Sequence, residues 1–263
     1  MNIQLTTISV NKSIYQYALS PAPRYFLRLS ILQKIFKTYL TQPTISFMEI
    51  GAGKGDVSAY LIDNANIESG VIVEQSDRAA KIIKDRLGSA DIDVQCADIM
   101  TIEADGFDCV CSFEVLEHIP DDLAFMRNIN NRLKQAGLWF ISVPAYMRKW
   151  QKQDEFSGHV RRYEEDEIRE KLHACGFEIV KLLDYGFPLT SIMRPFRDRY
   201  YQADDHRSML DKTLDSGTEK RGRRINPTLM WLLLLPFIFL QSSFAGKRWG
   251  DGFIVVAKKI REV

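Results

Sequence analysis

Between residues 45 and 145 short apolar runs alternate with segments of helical spacing, and no other feature narrows the fold as far. The apolar runs occupy 45–50, 70–74, 92–96, 107–111 and 138–143, while 57–62, 78–87 and 123–133 carry helical patterns between them. Strands separated by helices of this size are joined by right-handed crossovers. This predicts a doubly wound α/β fold, a mostly parallel sheet covered on both faces. Such a sheet takes its ligands at the carboxyl ends of its strands.

The flanks follow other patterns. Residues 14–40 are mostly helical in spacing, broken by Pro21 and Pro23, and predict an N-terminal helical cover within 1–44. After Pro144 a charged segment leads to a helix over 164–175, with Gly176 as its stop, and then to a strand over 177–185. The last strand pattern, 252–258, comes after some 65 further residues, too many for a plain loop in a compact domain. Residues 186–250 therefore read as an inserted helical lid or acceptor-binding segment. The 45–185 segment forms the core, which 251–263 completes.

Charge and cysteine content exclude several classes of partner. With 35 Lys and Arg against 34 Asp and Glu, no overall field draws in nucleic acid, and no basic stripe marks a groove for it. Cys96, Cys109, Cys111 and Cys175 have no metal-ligand spacing and no disulfide framework, so no metal is expected. The segment 1–25 shows no apolar stretch with a cleavage site, which makes the cytoplasm the expected compartment.

The strongest chemical signal is the turn after the first strand, Glu49-Ile50-Gly51-Ala52-Gly53-Lys54-Gly55-Asp56. Alternate glycines between a strand and a helix allow a tight turn and a close approach of backbone to ligand. A dinucleotide fingerprint spaces its glycines differently and seats a pyrophosphate on the helix N-terminus. Here Asp56 stands in the first helical turn, where a carboxylate repels a diphosphate and suits a phosphate-free, positively charged ligand. S-adenosylmethionine meets both conditions; a glycine turn without a ligand is the plain structural alternative. Two acids extend the signal. Glu74 ends the second strand, where a carboxylate accepts hydrogen bonds from ribose hydroxyls of S-adenosylmethionine or of NAD. Asp98 follows the third strand, placed to meet an adenine amine, with Ile99 packing on the ring.

The run 49–55, Glu74, Ala97-Asp98 and Phe113-Glu114-Val115-Leu116-Glu117-His118-Ile119 resemble class I S-adenosylmethionine-dependent methyltransferases, in particular their ubiquinone-pathway-like subgroup. The resemblance covers roughly 45–185 and the final strand. It implies a Rossmann-like sheet of seven strands with the last antiparallel beside the fifth. By the same resemblance Glu49, Gly51, Ala52, Gly53 and Gly55 hold the methionine part of the cofactor, Glu74 with Gln75 the ribose, and Asp98 with Ile99 the adenine. Phe113, Glu114 and His118 line the cofactor, and S-adenosylhomocysteine is the product. Lys54 and the long insertion depart from the simple pattern.

Methyl transfer asks mainly that the acceptor be aligned with the methyl and that water be excluded. A hydroxyl acceptor also benefits from a base, and histidine is the usual one. His159, in Gly158-His159-Val160-Arg161-Arg162-Tyr163, is the first candidate and His118 the second, a cap or cofactor-side role being the other reading of His118. The resemblance puts the 158–163 run near the acceptor pocket, so Arg161, Arg162 and Tyr163 are expected to meet acceptor; a solvated basic face is the alternative. Tyr15, Tyr17 and Tyr146 are candidates for the pocket wall, or for packing.

Within the insertion, 229–240 is twelve apolar residues, below the ~20 that cross a bilayer, and Pro236 is expected to interrupt it. Lys220, Arg221, Arg223 and Arg224 precede it and Lys247 and Arg248 follow, a layout compatible with peripheral contact of 220–248 with an anionic membrane. A buried lid helix is the preferred reading, and Tyr200, Tyr201 and His206 are expected in a loop that closes over substrate. The expected activity is methyl transfer, at oxygen by preference, to a small-molecule or a lipid- or saccharide-linked acceptor. An NAD(P)-dependent oxidoreductase and a non-catalytic cofactor-binding module are the alternatives.

Overall fold

A computed structural model describes residues 12–20, 22–88, 92–200 and 226–263, and the backbone alone at 99, 198 and 200. The expectations for Tyr201, His206 and the basic residues at 220–224 fall outside these residues, as does that for the Tyr200 side chain.

Seven strands form one sheet: β1 (Ile45–Ile50), β2 (Ile67–Val73), β3 (Ile92–Gln95), β4 (Phe107–Phe113), β5 (Leu133–Pro144), β6 (Phe177–Tyr185) and β7 (Gly252–Lys259). Their order is β3-β2-β1-β4-β5-β7-β6, all parallel except β7, which runs antiparallel between β5 and β6. The predicted fold is the observed one. Strand order reverses between β1 and β4, so the crevice beyond their carboxyl ends is the natural place for a ligand.

Side chains alternate along the strands and divide the core in two. Phe47, Cys109, Cys111, Phe140, Ile254 and Val256 face helices α1 (Pro23–Tyr39) and α2 (Asp56–Asn64). Met48, Val110, Trp139, Ile141 and Val255 face α4 (Asp122–Arg132) and α6 (Glu165–Ala174). Helix α3 (Asp77–Leu87) follows β2, and the short α5 (Lys152–Ser157) follows β5. The strand β5 begins at Leu133, where the sequence predicted the end of a helix. Lys134 and Gln135 are exposed there and Ala136 takes φ +63, so an apolar run does not mark the extension.

The insertion differs from its prediction. It contributes α7 (Leu189–Tyr200) and α8 (Pro227–Phe244), and α8 continues through Pro236 to a length of 18 residues. Pro227 at its first turn and the Asn226 side chain, which accepts from Thr228 N, start it six residues ahead of Leu233. The helix is not buried: Met230, Leu234, Ile238 and Gln241 face the core, while Leu229, Leu232, Leu233, Phe239 and Leu240 are exposed. It is seated on α1, where Gln241 Nε2 donates to Leu27 O and Ser30 Oγ.

Candidate active site

A cavity of about 330 Å³ lies at the carboxyl ends of β1, β2 and β4. Glu49, Gly51, Gly53, Glu74, Gln75, Phe113, Glu114, His118 and His159 line it, together with Arg24, Tyr25 and Arg28 of α1 and Tyr185 of β6. No residue of α7 or α8 lines it. Among the described residues the N-terminal segment, not α7 or α8, forms a wall of the cavity.

The glycine turn is built for close approach. Gly51 takes φ +65, and a Cβ there would stand 2.5 Å from Val115 Cγ2, so any side chain would collide with the β4 loop. Gly55 takes φ +70 as the N-cap of α2. Gly53 N donates to Glu74 Oε2 at 2.8 Å, and Ser76 N donates to Glu74 Oε1 at 3.0 Å. Burial nonetheless raises the Glu74 pKa. Glu49 is 2% exposed and accepts a hydrogen bond from Ser58. Burial dominates its environment and pushes its pKa up to about 7. Asp56 lines the cavity as well and is held by the N-terminal segment. It accepts from Tyr25 Oη at 2.8 Å and Leu19 N at 3.0 Å and pairs with Arg86, which fastens the N-terminal segment over the turn.

Glu114 follows β4 in a left-handed backbone conformation, φ +59. Arg24 Nη1 meets Glu114 Oε2 at 2.6 Å and Arg28 Nη1 meets Oε1 at 3.2 Å. Burial opposes ionisation of Glu114, but the two guanidiniums outweigh it and hold the carboxyl well below the usual range. Arg24 Nη2 and Arg28 Nε are buried with no hydrogen-bond partner among the described residues.

On the far wall His159 Nδ1 lies 2.8 Å from Asp154 Oδ1. Burial disfavours the Asp154 anion, yet His159 and Arg162 together lower its pKa, so it accepts and His159 Nδ1 donates. With Nδ1 turned to Asp154, His159 Nε2 stands 3.8 Å from Glu117 Oε1. Glu117 is fully buried, neither oxygen has a hydrogen-bond partner among the described residues, and burial with the nearby Glu114 charge raises its pKa well above the carboxylate range. His118 Nδ1 lies 3.2 Å from Gly158 O, and burial first, then the His159 charge, lowers its pKa to about 3. His118 is therefore a neutral imidazole and a poor base at neutral pH. Glu117, His118 and His159 bring one ligand-capable atom each within 4.8 Å of one another, a grouping that their sequence spacing did not announce.

Several expected site residues lie elsewhere. Ala52 lines the cavity and Ala97 does too, but Asp98 is exposed, its Oδ1 accepting from Met100 N at 2.9 Å; the Ile99 side chain is outside the described residues. Arg161, Arg162 and Tyr163 do not line the cavity. Arg161 pairs with Asp122 at 2.5 Å, and Tyr163 Oη donates to Asp122 Oδ2 at 2.8 Å. Arg162 is 4% exposed, with Nε at 3.0 Å from both Asp154 oxygens and Nη1 at 3.4 Å from Asp251. The basic run braces the histidine from behind because each of its cations already has a buried acid. Tyr15 stacks on Trp231 at 4.6 Å, Tyr17 donates to Asp63, and Tyr146 packs on Phe253 under Arg148. Sequence reading missed Arg24, Tyr25, Arg28, Glu117, Asp154 and Tyr185. The i, i+4 spacing of Arg24 and Arg28 puts both on one helix face, the one signal that pointed at them.

Comparison with known proteins agrees with this geometry. A family model described as a methyltransferase domain matches residues 22–182. Ubiquinone biosynthesis O-methyltransferase of Parvibaculum lavamentivorans is 31% identical over 102 residues, 38% of this chain and 40% of that protein. Its counterpart in Coxiella burnetii is 29% identical over 100 residues, 36% of this chain and 42% of that protein. The chain thus spans about 40% of the length of these curated relatives. Among solved structures, a putative sarcosine dimethylglycine methyltransferase from Galdieria sulphuraria aligns with TM-score 0.57 at 15% identity, over 89% of this chain and 86% of that one. The [4+2]-cyclase SpnF aligns with TM-score 0.55 at 19% identity, over 89% and 81% of the two chains, a likeness of fold. A matched family model over more than half the chain, a turn with glycine at 51, 53 and 55 and an acid-ringed crevice at the sheet's switch point have one common reading: the chain belongs to the class I S-adenosylmethionine-dependent methyltransferases.

Proposed function

We propose that this chain transfers the methyl group of S-adenosylmethionine to a hydroxyl oxygen of a small-molecule or a lipid- or saccharide-linked acceptor, with His159 as general base. The observation that carries the choice of oxygen is the Asp154–His159 pair at the cavity wall, with Nδ1 committed to the carboxylate and Nε2 left as proton acceptor. When bound, the cofactor supplies an electrophilic methyl on a sulfonium, already a good leaving group. The residues present fit it. Glu49 and Glu74 favour a cation with no phosphate, the Gly51 and Gly53 backbone leaves room beside it, and the unpartnered nitrogens of Arg24 and Arg28 suit a carboxylate, of the cofactor or of the acceptor. Asp98 and Ile99, one residue beyond the cavity wall, stand for the adenine end in this reading. Phe113 and Tyr185 exclude water, and Asp154 orients the base.

Calorimetric titration with S-adenosylmethionine and S-adenosylhomocysteine, with NADH as control, tests the cofactor assignment. Micromolar binding of both sulfur ligands is expected, weakened by about tenfold or more in Glu74→Ala through loss of a buried carboxylate acceptor. Binding of NADH alone would return the site to the oxidoreductase reading, and cofactor binding without turnover on any hydroxylated acceptor would leave a binding module.

Glu49 gives the binding a pH dependence of known sign. Its pKa near 7 in the free protein means a neutral carboxyl at pH 6, whereas an ammonium beside it favours the anion, so binding releases a proton. Affinity is expected to rise about tenfold from pH 6 to pH 8 and then level off. Titrations at pH 6 in two buffers of different ionisation enthalpy would show the released proton, and identical apparent enthalpies would refute its release.

A second reading is favoured by the convergence of Glu117, His118 and His159: a divalent cation held there would polarise the acceptor oxygen in place of a base. Turnover that survives exhaustive chelation supports the base, and turnover lost on chelation and restored by added metal supports the cation.

A further inference from the structure

Helix α8 contains no acidic or basic residue, and its mean hydropathy is 1.5 with 22% of its length buried. A helix apolar on every side belongs in a protein core or in lipid, and the described residues enclose only one flank of this one. Its inward stripe of Met230, Leu234, Ile238 and Gln241 is used on α1. The opposite stripe, Leu229, Leu232, Leu233, Phe239 and Leu240, recurs at helical spacing and is 42–71% exposed.

We propose that this stripe docks α8 lengthwise on an anionic lipid bilayer. Eighteen residues make about 27 Å of helix, near the ~30 Å of a hydrocarbon core. A transverse orientation is nonetheless closed to it, because one flank is fastened along α1. Gln241 bonds Leu27 and Ser30, and Gly186 N donates to Gln241 Oε1. Trp231 is stacked on Tyr15. The helix can enter lipid only side-on, as interfacial helices do.

Charge selects lipid over a second copy of the chain. Lys220, Arg221, Arg223 and Arg224 precede the helix in sequence, and Lys247 and Arg248 follow it. Lys247 lies over the Phe244 and Trp249 rings, and Arg248, though paired with Glu165, is 58% exposed in its side chain. Trp249 is itself 48% exposed, an amphipathic ring of the kind that settles at headgroup level. Two copies apposed through α8, parallel or antiparallel, would set cationic ends against cationic ends. An anionic headgroup layer meets them with opposite charge. The inference stands whether or not oxygen is the methylated atom.

The test is co-sedimentation of the full chain with vesicles of phosphatidylcholine, with and without about a third phosphatidylglycerol. Expected is partition onto the anionic vesicles about tenfold or more above the neutral ones, weakened by raised salt, and lost by a similar factor in the double variant Leu233→Glu/Phe239→Glu. Cofactor affinity of that variant, measured without vesicles, reports that it is folded; Leu232→Gln, a milder change on the same stripe, gives an independent reading. Wild-type protein that stays in the supernatant with both vesicles, equal partition on both, or variants that partition like wild type would each overturn the proposal. So would a dimer in solution that Leu233→Glu dissociates, which would name a second copy as the occupant.

Discussion

His159→Ala is expected to lower kcat by about 10²–10⁴-fold and leave cofactor affinity unchanged. Its imidazole lines the cavity and contributes no hydrogen bond to the glycine turn, so loss of the base and loss of the cofactor site are separable. Asp154→Asn should reproduce much of that loss. An asparagine amide can donate to Nδ1, which moves the imidazole proton to Nε2 and removes the acceptor that a substrate hydroxyl needs. Single-turnover rates, paired with calorimetric affinities, check both variants. A His159→Ala enzyme that keeps wild-type turnover would end the general-base assignment, and chelator sensitivity would then decide for the metal reading.

Arg162→Met is expected to cost about 3–5 kcal/mol of stability, a fall of roughly 6–20 °C in Tm. The side chains of Asp154 and Asp251 are 2% and 7% exposed, and Arg162 is a shared countercharge for both. A methionine would fill the volume and leave two buried acids, one of them with Arg24 and Arg197 as its remaining partners. Arg162→Lys should recover part of the loss, because an ammonium cannot span Asp154 and Asp251 as the planar fork does. Differential scanning calorimetry measures both. If Arg162→Met melts with wild type, the basic run is the solvated face that sequence reading held as its alternative.

The parts of this molecule legible in sequence are those fixed by local periodicity. Buried parallel strands announce themselves as apolar runs, and the glycine turn by its spacing, so the sheet, its switch point and Glu49, Gly51, Gly53 and Glu74 were readable residue by residue. The far wall was not, because it depends on pairings across long stretches of sequence. Arg24 meets Glu114 ninety residues away, and Arg162 meets Asp251 eighty-nine residues away. A run such as Gly158–Tyr163, which resemblance alone put near the acceptor, shows its cations in sequence but not the acids that neutralise them. The helix α8 misled in the other direction. Composition alone says that Leu229–Leu240 seeks an apolar partner, but only the sheet and α1 determine that half of its circumference finds none among the described residues.

The position of β7 bears on how the chain is made. The strand that bonds both β5 and β6 is synthesised after them, with 107 residues between Pro144 at the end of β5 and Gly252 at the start of β7. At usual translation rates that interval lasts roughly 5–20 s. Throughout it a nascent chain carries the long apolar edge of β5 unpaired, next to an emerging helix of eighteen residues without a charge. Chaperone dependence and loss to aggregates during expression should therefore track the time between β5 and β7, and slow codons within 186–250 should lower the soluble yield of an otherwise identical protein.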